Sequence, residues 1–239
     1  MKKIILLLTA IISINVATKA QTTHTTRRVV LDKNTVIKDS TGKVMAYTDW
    51  NNKLMSGDYN LRPIDPGSDS TAFILYRLTD EEKDKRLQRM DKPAESKFFI
   101  TGAKMARFSG TDINGKDVDL DELLGKTVVI NFWFIGCPPC RQEIPELNKI
   151  AAAYANDPDV VFIAIALDKK SEIKDFLKTN PFNYHIIGNG REIADQYHLN
   201  LFPTNVVVGR DGKVMFHSSG YGINTPYWIK KVIEVCKAQ

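Results

Sequence analysis

Cysteine and histidine are scarce in this chain of 239 residues, which has three cysteines and four histidines. Two cysteines, Cys137 and Cys140, lie in one CxxC segment, so the chain lacks the several cysteine pairs of a disulfide-stabilised fold. A structural zinc site would need two further ligands, usually a second CxxC or closely spaced histidines. The remaining cysteine is Cys236 and the histidines are scattered. The sequence therefore predicts no metal site.

Apolar runs that approach the length of a membrane span are also missing, except near the N-terminus. Met1–Lys3 is followed by the apolar run Ile4–Val16 and then by small residues up to Ala20, a pattern typical of a secretory signal peptide. We expect residues 1–20 to be cleaved off after Ala20. The alternative is an uncleaved N-terminal anchor, although the apolar run is shorter than a comfortable membrane span. Either way, the protein is expected to be exported, to the periplasm or cell envelope.

A strong excess of positive charge is missing from the predicted mature protein. The whole chain has a formal net charge of +5, but residues 1–20 contain three lysines and no acidic residue. Their removal leaves 30 basic and 28 acidic residues, a net charge of +2. The sequence therefore predicts neither a nucleic-acid-binding surface nor a polybasic membrane-binding surface.

The chain does contain a Cys-Pro-Pro-Cys segment at residues 137–140, between a predicted strand (127–134) and a predicted helix (141–154). Two cysteines at this spacing can close a small, reversible disulfide. The first lies at a helix N-terminus, where unpaired N–H groups and the macrodipole favour the thiolate that attacks disulfides. A purely structural disulfide over so short a loop would stabilise little. We therefore predict a redox-active disulfide and no separate cofactor.

Alternating strand and helix patterns from residue 101 onward predict an α/β fold with a mixed sheet covered by helices. Residues 21–100 are interpreted as a small β-rich module plus a charged connector of unknown function, and residues 101–239 as the catalytic domain. Within the first part, we predict strands at Val29–Leu31, Thr35–Ile37, Val44–Tyr47 and Thr71–Leu78, a loop at Arg62–Ser68, and a capping box formed by Thr79 and Glu82. In the second, Ser171 is expected to cap a helix over Ser171–Thr179.

A family resemblance rests on the segment Phe132–Pro145, which reads FWFIGCPPCRQEIP, and on the later Phe202-Pro203-Thr204. Together they resemble the thioredoxin superfamily, and most closely its exported TlpA/ResA-type thiol–disulfide oxidoreductases. The resemblance covers about residues 103–239. It implies a thioredoxin-like mixed central sheet flanked by helices, with residues 171–198 as an insertion relative to minimal thioredoxin. The N-terminal module lies outside it.

The resemblance implies a role for each matched residue. Cys137 would be the attacking thiolate and Cys140 the resolving thiol. Pro203 would be a cis-proline facing the CxxC segment, in a turn that exposes the backbone of Phe202 to a substrate strand; an ordinary trans-proline is the alternative. Trp133 is expected to pack under the disulfide. The predicted substrate-binding residues are Phe202, Pro203, Trp133, Pro138 and Pro139.

Proton handling is expected to differ from that of thioredoxin, because Asn131 stands where thioredoxin has a buried aspartate. Glu143 lies three residues after Cys140, on the same helix face, at a place where ResA-like proteins have a glutamate. We predict that Glu143 shuttles a proton to or from Cys140. The alternative is a solvent-exposed glutamate that merely favours the helix dipole.

The expected function is an exported thiol–disulfide oxidoreductase that reduces protein disulfides, because proline pairs in such motifs more often accompany reductants. The expected partners are protein thiols and disulfides, with apocytochrome c as one possibility, and a membrane electron donor. Two alternatives stay open. One is a peroxiredoxin-like peroxidase, although the Thr-x-x-Cys motif is missing; the other is a copper- or partner-binding module. Cys236 is predicted to lie in the core, and the sequence does not indicate an oligomeric state.

Overall fold

The computed structural model describes residues 31–65 and 72–238, so the predicted signal peptide and most of the predicted strand Val29–Leu31 lie outside it. From Val36 onward the described residues form one compact unit, whereas Leu31–Thr35 belong to another. The strands are β1 (Ile37–Lys38), β2 (Tyr59–Pro63), β3 (Phe73–Arg77), β4 (Ser109–Thr111), β5 (Asp117–Asp119), β6 (Thr127–Trp133), β7 (Val160–Ala166), β8 (His185–Ile187), β9 (Thr204–Val208) and β10 (Val214–Ser219). The helices are α1 (Tyr47–Met55), α2 (Asp80–Arg89), α3 (Pro138–Ala153), α4 (Lys170–Leu177), α5 (Arg191–Gln196) and α6 (Thr225–Lys237).

A five-stranded mixed sheet in the order β10-β9-β6-β7-β8 forms the centre of the fold. β6, β7 and β8 are parallel, and β9 and β10 are antiparallel to their neighbours. All seven residues of β6 are buried, as the continuous apolar run predicts for a central strand covered on both faces. The predicted mixed sheet flanked by helices is confirmed.

The two faces of the sheet carry separate cores because successive strand residues point to opposite sides. On one face, Val129 and Trp133 of β6 pack in a cluster with residues of α3, α4 and α6. On the other, Val128, Ile130 and Phe132 pack with residues of α5 and of the β4–β5 hairpin. Asn131 lies between Val129 and Trp133 in this alternation, so its side chain belongs to the face that α3 covers.

The N-terminal part, over residues 36–89, forms a three-stranded sheet in the order β1-β3-β2 together with α1 and α2. Its small core contains Ile37, Trp50 and Leu75, all of them buried. The two helices contain more residues than the three strands, so the expected β-rich character is only partly seen. The proposed boundary near residue 100 stays a prediction, as does the assignment of residues 171–198 as an insertion.

Two local predictions are confirmed. Thr79 Oγ1 accepts the N–H of Glu82, and the Glu82 carboxylate accepts the N–H of Thr79, so the predicted capping box starts α2. Cys236 is fully buried in α6 and is a free thiol, as expected.

Three local predictions are wrong. Val44–Tyr47 is not a strand: Val44 makes a single bridge to Lys38, and α1 starts at Tyr47, where burial of Trp50 favours a helix. The start of the predicted loop Arg62–Ser68 belongs to β2, which pairs with β3, while residues 66–68 lie outside the described chain. Ser171 does not cap α4, which starts at Lys170 and whose Glu172 carboxylate accepts the N–H of Lys169.

Among the residues that the structure describes, none of the helices combines the length and apolar character needed to cross a membrane.

Candidate active site

The CxxC segment lies where the chain leaves the carboxyl end of β6 and enters α3. Cys137 has an extended backbone and is the N-cap residue of α3, with Pro138 and Pro139 as the first two helical residues. Proline is suited to these positions because the first N–H groups of a helix have no partner within it. The loop before Cys137 is fixed by the N–H of Ile135, which donates to Asp168 Oδ2 at 2.7 Å.

Cys137 and Cys140 are joined by a disulfide, with their Cα atoms 5.3 Å apart. Both residues are buried, being 3% and 2% exposed. The N–H of Cys140 donates to Cys137 Sγ at 3.2 Å. Because Pro138 and Pro139 have no N–H, neither of the first two helical positions can supply a second such donor. The helix N-terminus therefore stabilises negative charge on Cys137 less than a proline-free turn would.

A second loop, the turn before β9, lies beside the CxxC segment. The Phe202–Pro203 peptide bond is cis, as the resemblance implies. The half-buried ring of Phe202 contacts that of Phe134 edge to face, with 5.5 Å between the ring centroids. Since Phe134 is three residues before Cys137, this contact places the cis-proline turn beside the loop that carries the cysteines.

Trp133 and the two prolines occupy different environments. Trp133 is fully buried in the same cluster as both cysteines, and its ring centroid lies 5.6 Å from that of Phe176 and 5.6 Å from that of Phe182. In this position its ring packs in the core on which the CxxC segment rests, and it has no exposed surface to offer a substrate. Pro138 is exposed and Pro139 half-buried, so both can touch a docked polypeptide.

Glu143 lies inside the protein, one helical turn after Cys140, and is 1% exposed. This burial excludes the alternative of a solvent-exposed helix glutamate. Asn205 Nδ2 donates to both Glu143 carboxylate oxygens at 3.0 Å. Asn131 Nδ2 in turn donates to Asn205 Oδ1 at 2.9 Å and lies 3.5 Å from Glu143 Oε2. Two amides on neighbouring strands thus hold the carboxyl group in one orientation.

Sequence reasoning missed Asn205, although a signal was available. Asn131 and Asn205 are polar residues in otherwise apolar strands, and they are direct partners in the β6–β9 register. Val129 on β6 and Val207 on β9, two residues away from each, belong to the cluster on the α3 side. Because strand residues two apart share a face, both asparagines lie on the face of the sheet that α3 covers.

Burial raises the pKa of Glu143 from its ordinary value of 4.5 to about 8, although the hydrogen bond from Asn205 acts to lower it. The cause is desolvation, which disfavours the charged carboxylate. The charge of Glu143 also acts on a neighbouring phenol: burial first, and then Glu143, raise the pKa of Tyr184 well above its ordinary value. The hydroxyl of Tyr184 is buried without a hydrogen-bond partner among the described residues. A protonated Glu143 at neutral pH therefore suits this apolar surrounding.

Two histidines that could in principle bind a metal ion have other partners. His217 is buried and its Nε2 lies 3.2 Å from Thr101 Oγ1, and His185 Nδ1 lies 3.3 Å from Asp112 Oδ2. Within residues 31–65 and 72–238, no three His, Cys, Asp or Glu side chains are grouped so that they could hold a metal ion.

The chain is similar to several known proteins. The AhpC/TSA family model matches residues 101–217. Thiol-disulfide oxidoreductase ResA of a Bacillus cereus strain is 33% identical over 124 residues, which cover 51% of this chain and 71% of that protein. ResA of Bacillus thuringiensis subsp. konkukian is 32% identical over 155 residues, covering 63% and 80% respectively. The crystal structure of a thiol:disulfide interchange protein DsbE from Chlorobium tepidum matches with a TM-score of 0.53 and 25% identity, covering 58% of this chain and 98% of that one.

Proposed function

Because the chain belongs to the ResA family of thiol–disulfide oxidoreductases, we propose that it uses the Cys137–Cys140 pair to reduce disulfides of exported proteins. The observation that carries this proposal is the CxxC disulfide itself, at the N-terminus of α3 and beside the cis-proline turn. Protein thiols and disulfides are the substrate class of a thiol–disulfide oxidoreductase. The direction of electron flow, the partners and the location are parts of the proposal.

The reaction starts from the reduced pair. The Cys137 thiolate attacks one sulfur of the substrate disulfide, so that a bond from Cys137 to that sulfur forms and the substrate S–S bond breaks. The departing substrate sulfur leaves as a thiolate and takes up a proton. The Cys140 thiol then loses its proton and attacks Cys137 Sγ, which releases the second substrate sulfur as a thiolate. The protein pair is thereby oxidised to the disulfide, and the substrate has gained two electrons.

Glu143 in its deprotonated form, which is the minor form at neutral pH, is the group proposed to accept the Cys140 proton. It is buried on the same helix as Cys140, one turn away, where water has little access. Its pKa of about 8 is close to that of an ordinary thiol, so a proton can pass between the two groups near neutral pH at little cost in free energy. Asn205 and Asn131 keep the carboxyl group in one orientation during this transfer.

The reducing direction is supported by the two prolines. A strongly oxidising pair needs a highly stabilised thiolate on its first cysteine, because this stabilises the reduced form. Here the single N–H at hydrogen-bonding distance from Cys137 Sγ comes from Cys140, within the part of the chain that the structure describes. Limited stabilisation of the thiolate favours a reductant.

A location outside the cytoplasm is proposed from the signal-like residues 1–20. Such a compartment offers no soluble reducing pool on which the protein could rely, so the oxidised pair must be reduced by a donor in the membrane. Apocytochrome c is one candidate among the exported proteins whose disulfides the reduced pair could reduce.

Reduction of insulin by dithiothreitol, with and without the mature protein, tests this function. We expect the wild-type protein to accelerate insulin reduction, Cys137→Ser to abolish the acceleration, and Cys140→Ser to accumulate a mixed disulfide with insulin. The matched control is Cys236→Ser, which removes the buried third thiol and should keep the activity. If Cys137→Ser retained the wild-type rate, the proposal would be refuted. Peroxide consumption and Cu(I) uptake by the same proteins test the peroxidase and the copper-binding alternatives.

A further inference from the structure

The backbone carbonyl of Met55, at the end of α1, receives hydrogen bonds from two side chains of the catalytic half of the chain. Gln142 Nε2 donates to it at 3.3 Å, and Tyr221 Oη donates to it at 2.9 Å. Both donors are more than 80 residues away in the sequence. The end of α1 is therefore fixed by tertiary contacts, since a single carbonyl accepts from two separate elements.

These two donors belong to elements that carry or adjoin the active site. Gln142 is two residues after Cys140 on α3, so it lies within about two helical turns of Cys137, roughly 7 Å along the helix axis. Tyr221 follows Gly220, whose N–H donates to the carbonyl of Pro203 at 2.7 Å. The end of α1 is thus connected both to the helix that carries the cysteines and to the cis-proline turn.

The residues after Met55 strengthen this attachment. Gly57 is buried and has a φ of +80°, and a Cβ atom added there would lie 2.7 Å from Ile223 Cγ1, so the backbone approaches the β10–α6 loop closely. Lys83 Nζ lies 2.5 Å from Asp58 Oδ1 and 3.4 Å from Glu146 Oε2 on α3. The partly buried Lys83–Glu146 pair joins the N-terminal part to the helix of the active site, while the Lys83–Asp58 pair links the segment after α1 to α2.

Met55 stays 45% exposed although its backbone carbonyl is held in place. Leu201, directly before Phe202, is 49% exposed, and Pro138 is exposed as well. A polypeptide whose disulfide reacts with Cys137 must lie on the surface around that residue. Exposed apolar residues are thus present on three connected elements: the CxxC segment, the cis-proline turn and the end of α1.

We propose that Met55 and the end of α1 form one wall of the substrate-docking surface, and that this wall selects disulfide-bonded polypeptides with an apolar side chain beside the reacting cysteine. A methionine suits this role because its flexible, polarisable side chain adapts to different apolar partners. The inference rests on the proposed function, and it gives the N-terminal part of the chain a direct share in substrate recognition. Small disulfides, which cover only the sulfur of Cys137, do not need the wall.

The test is the single-turnover oxidation of the pre-reduced protein by insulin and, separately, by dithiodipyridine. Insulin reactions are quenched by alkylation, and dithiodipyridine reactions are followed by the release of thiopyridone. Met55→Glu places a charge on the wall, and we expect it to slow oxidation by insulin about fivefold or more, the size typical of a significant interface residue, while the dithiodipyridine rate is unchanged. Met55→Leu, which keeps an apolar side chain, should retain both rates.

Leu124→Glu is the matched control. Leu124 is also an exposed apolar residue, at 56%, but it lies three residues before β6 and thus at the opposite end of this strand from Cys137. We expect this variant to keep both rates. The inference is overturned if Met55→Glu leaves the insulin rate unchanged, if it lowers both rates equally, or if Leu124→Glu has the same effect. A wild-type protein that is oxidised by dithiodipyridine but not by insulin would overturn the proposed function instead.

Discussion

Replacing Glu143 by glutamine should change how the stability of the oxidised protein depends on pH. The pKa of Glu143 is about 8 in the folded protein and close to the ordinary 4.5 in the unfolded chain. Between these two values the folded state holds a proton that the unfolded state has released. The free energy of unfolding of the wild-type protein therefore falls as pH rises through this window. Glutamine mimics the protonated carboxyl and does not titrate.

The size of the effect follows from the pKa shift. One pH unit of full differential protonation corresponds to about 1.4 kcal/mol, so Glu143 should lower the free energy of unfolding by about 3 kcal/mol between about pH 5 and pH 7.5. The difference in stability between Glu143→Gln and the wild type should grow by the same amount in favour of the variant. A constant offset from altered hydrogen bonds to Asn205 does not affect this slope.

Urea denaturation of both proteins at pH 5, 6, 7 and 7.5, with the disulfide intact, measures the effect. Other titrating groups contribute equally to both proteins and cancel in the difference. The matched control is Glu122→Gln, which alters an exposed carboxyl group and should follow the wild-type curve. If the curves of wild type and Glu143→Gln are parallel, Glu143 titrates near its ordinary pKa, and the physical basis for its role as the proton acceptor is lost.

Three further outcomes are expected. Asn205→Ala removes the donor that lowers the pKa of Glu143, so this pKa should rise further and shift the pH–rate profile of thiol exchange. The variant should also lose about 1–3 kcal/mol of unfolding free energy in urea denaturation. An unchanged pH–rate profile would contradict the role of this hydrogen bond. Pro139→Ala adds an N–H at the start of α3 and should lower the pKa of the Cys137 thiol, as measured by the pH dependence of its alkylation rate. Thr79→Ala removes the capping box of α2 and should lower the free energy of unfolding by about 1 kcal/mol in urea denaturation. An unchanged free energy of unfolding would show that the capping box does not stabilise the protein.

Much of the catalytic half could be predicted from local sequence patterns. β6 and β7 are continuous apolar runs, and such runs already indicate strands that are buried on both faces. The Cys-Pro-Pro-Cys segment indicates the start of α3, because proline is tolerated in the first turn of a helix and the apolar periodicity follows directly.

The N-terminal part was harder to predict because its elements depend on tertiary contacts. α1 is rich in asparagine and other polar residues, and only Trp50 among its residues is buried. β2 contains Arg62 and Pro63, which are typical of loops, and it exists as a strand because it pairs along its whole length with β3. In both cases packing against a partner outweighs weak local propensity.

The site shows the same division between local and tertiary information. The cysteines and Glu143 share one helix, so their proximity follows from sequence spacing. The role of Asn205 depends on the register between β6 and β9, and that of Met55 depends on the packing of α1 against α3. Neither relation could be read from the neighbours of these residues in the sequence.

The most direct test of the account is the reduction potential of the Cys137–Cys140 pair, measured by equilibrating residues 21–239 with glutathione or dithiothreitol buffers. We predict a value near that of thioredoxin, about −270 mV, as expected of a reductant that needs a membrane electron supply. A value near that of DsbA, about −120 mV, would contradict it, because the protein would then be an oxidant of exported thiols.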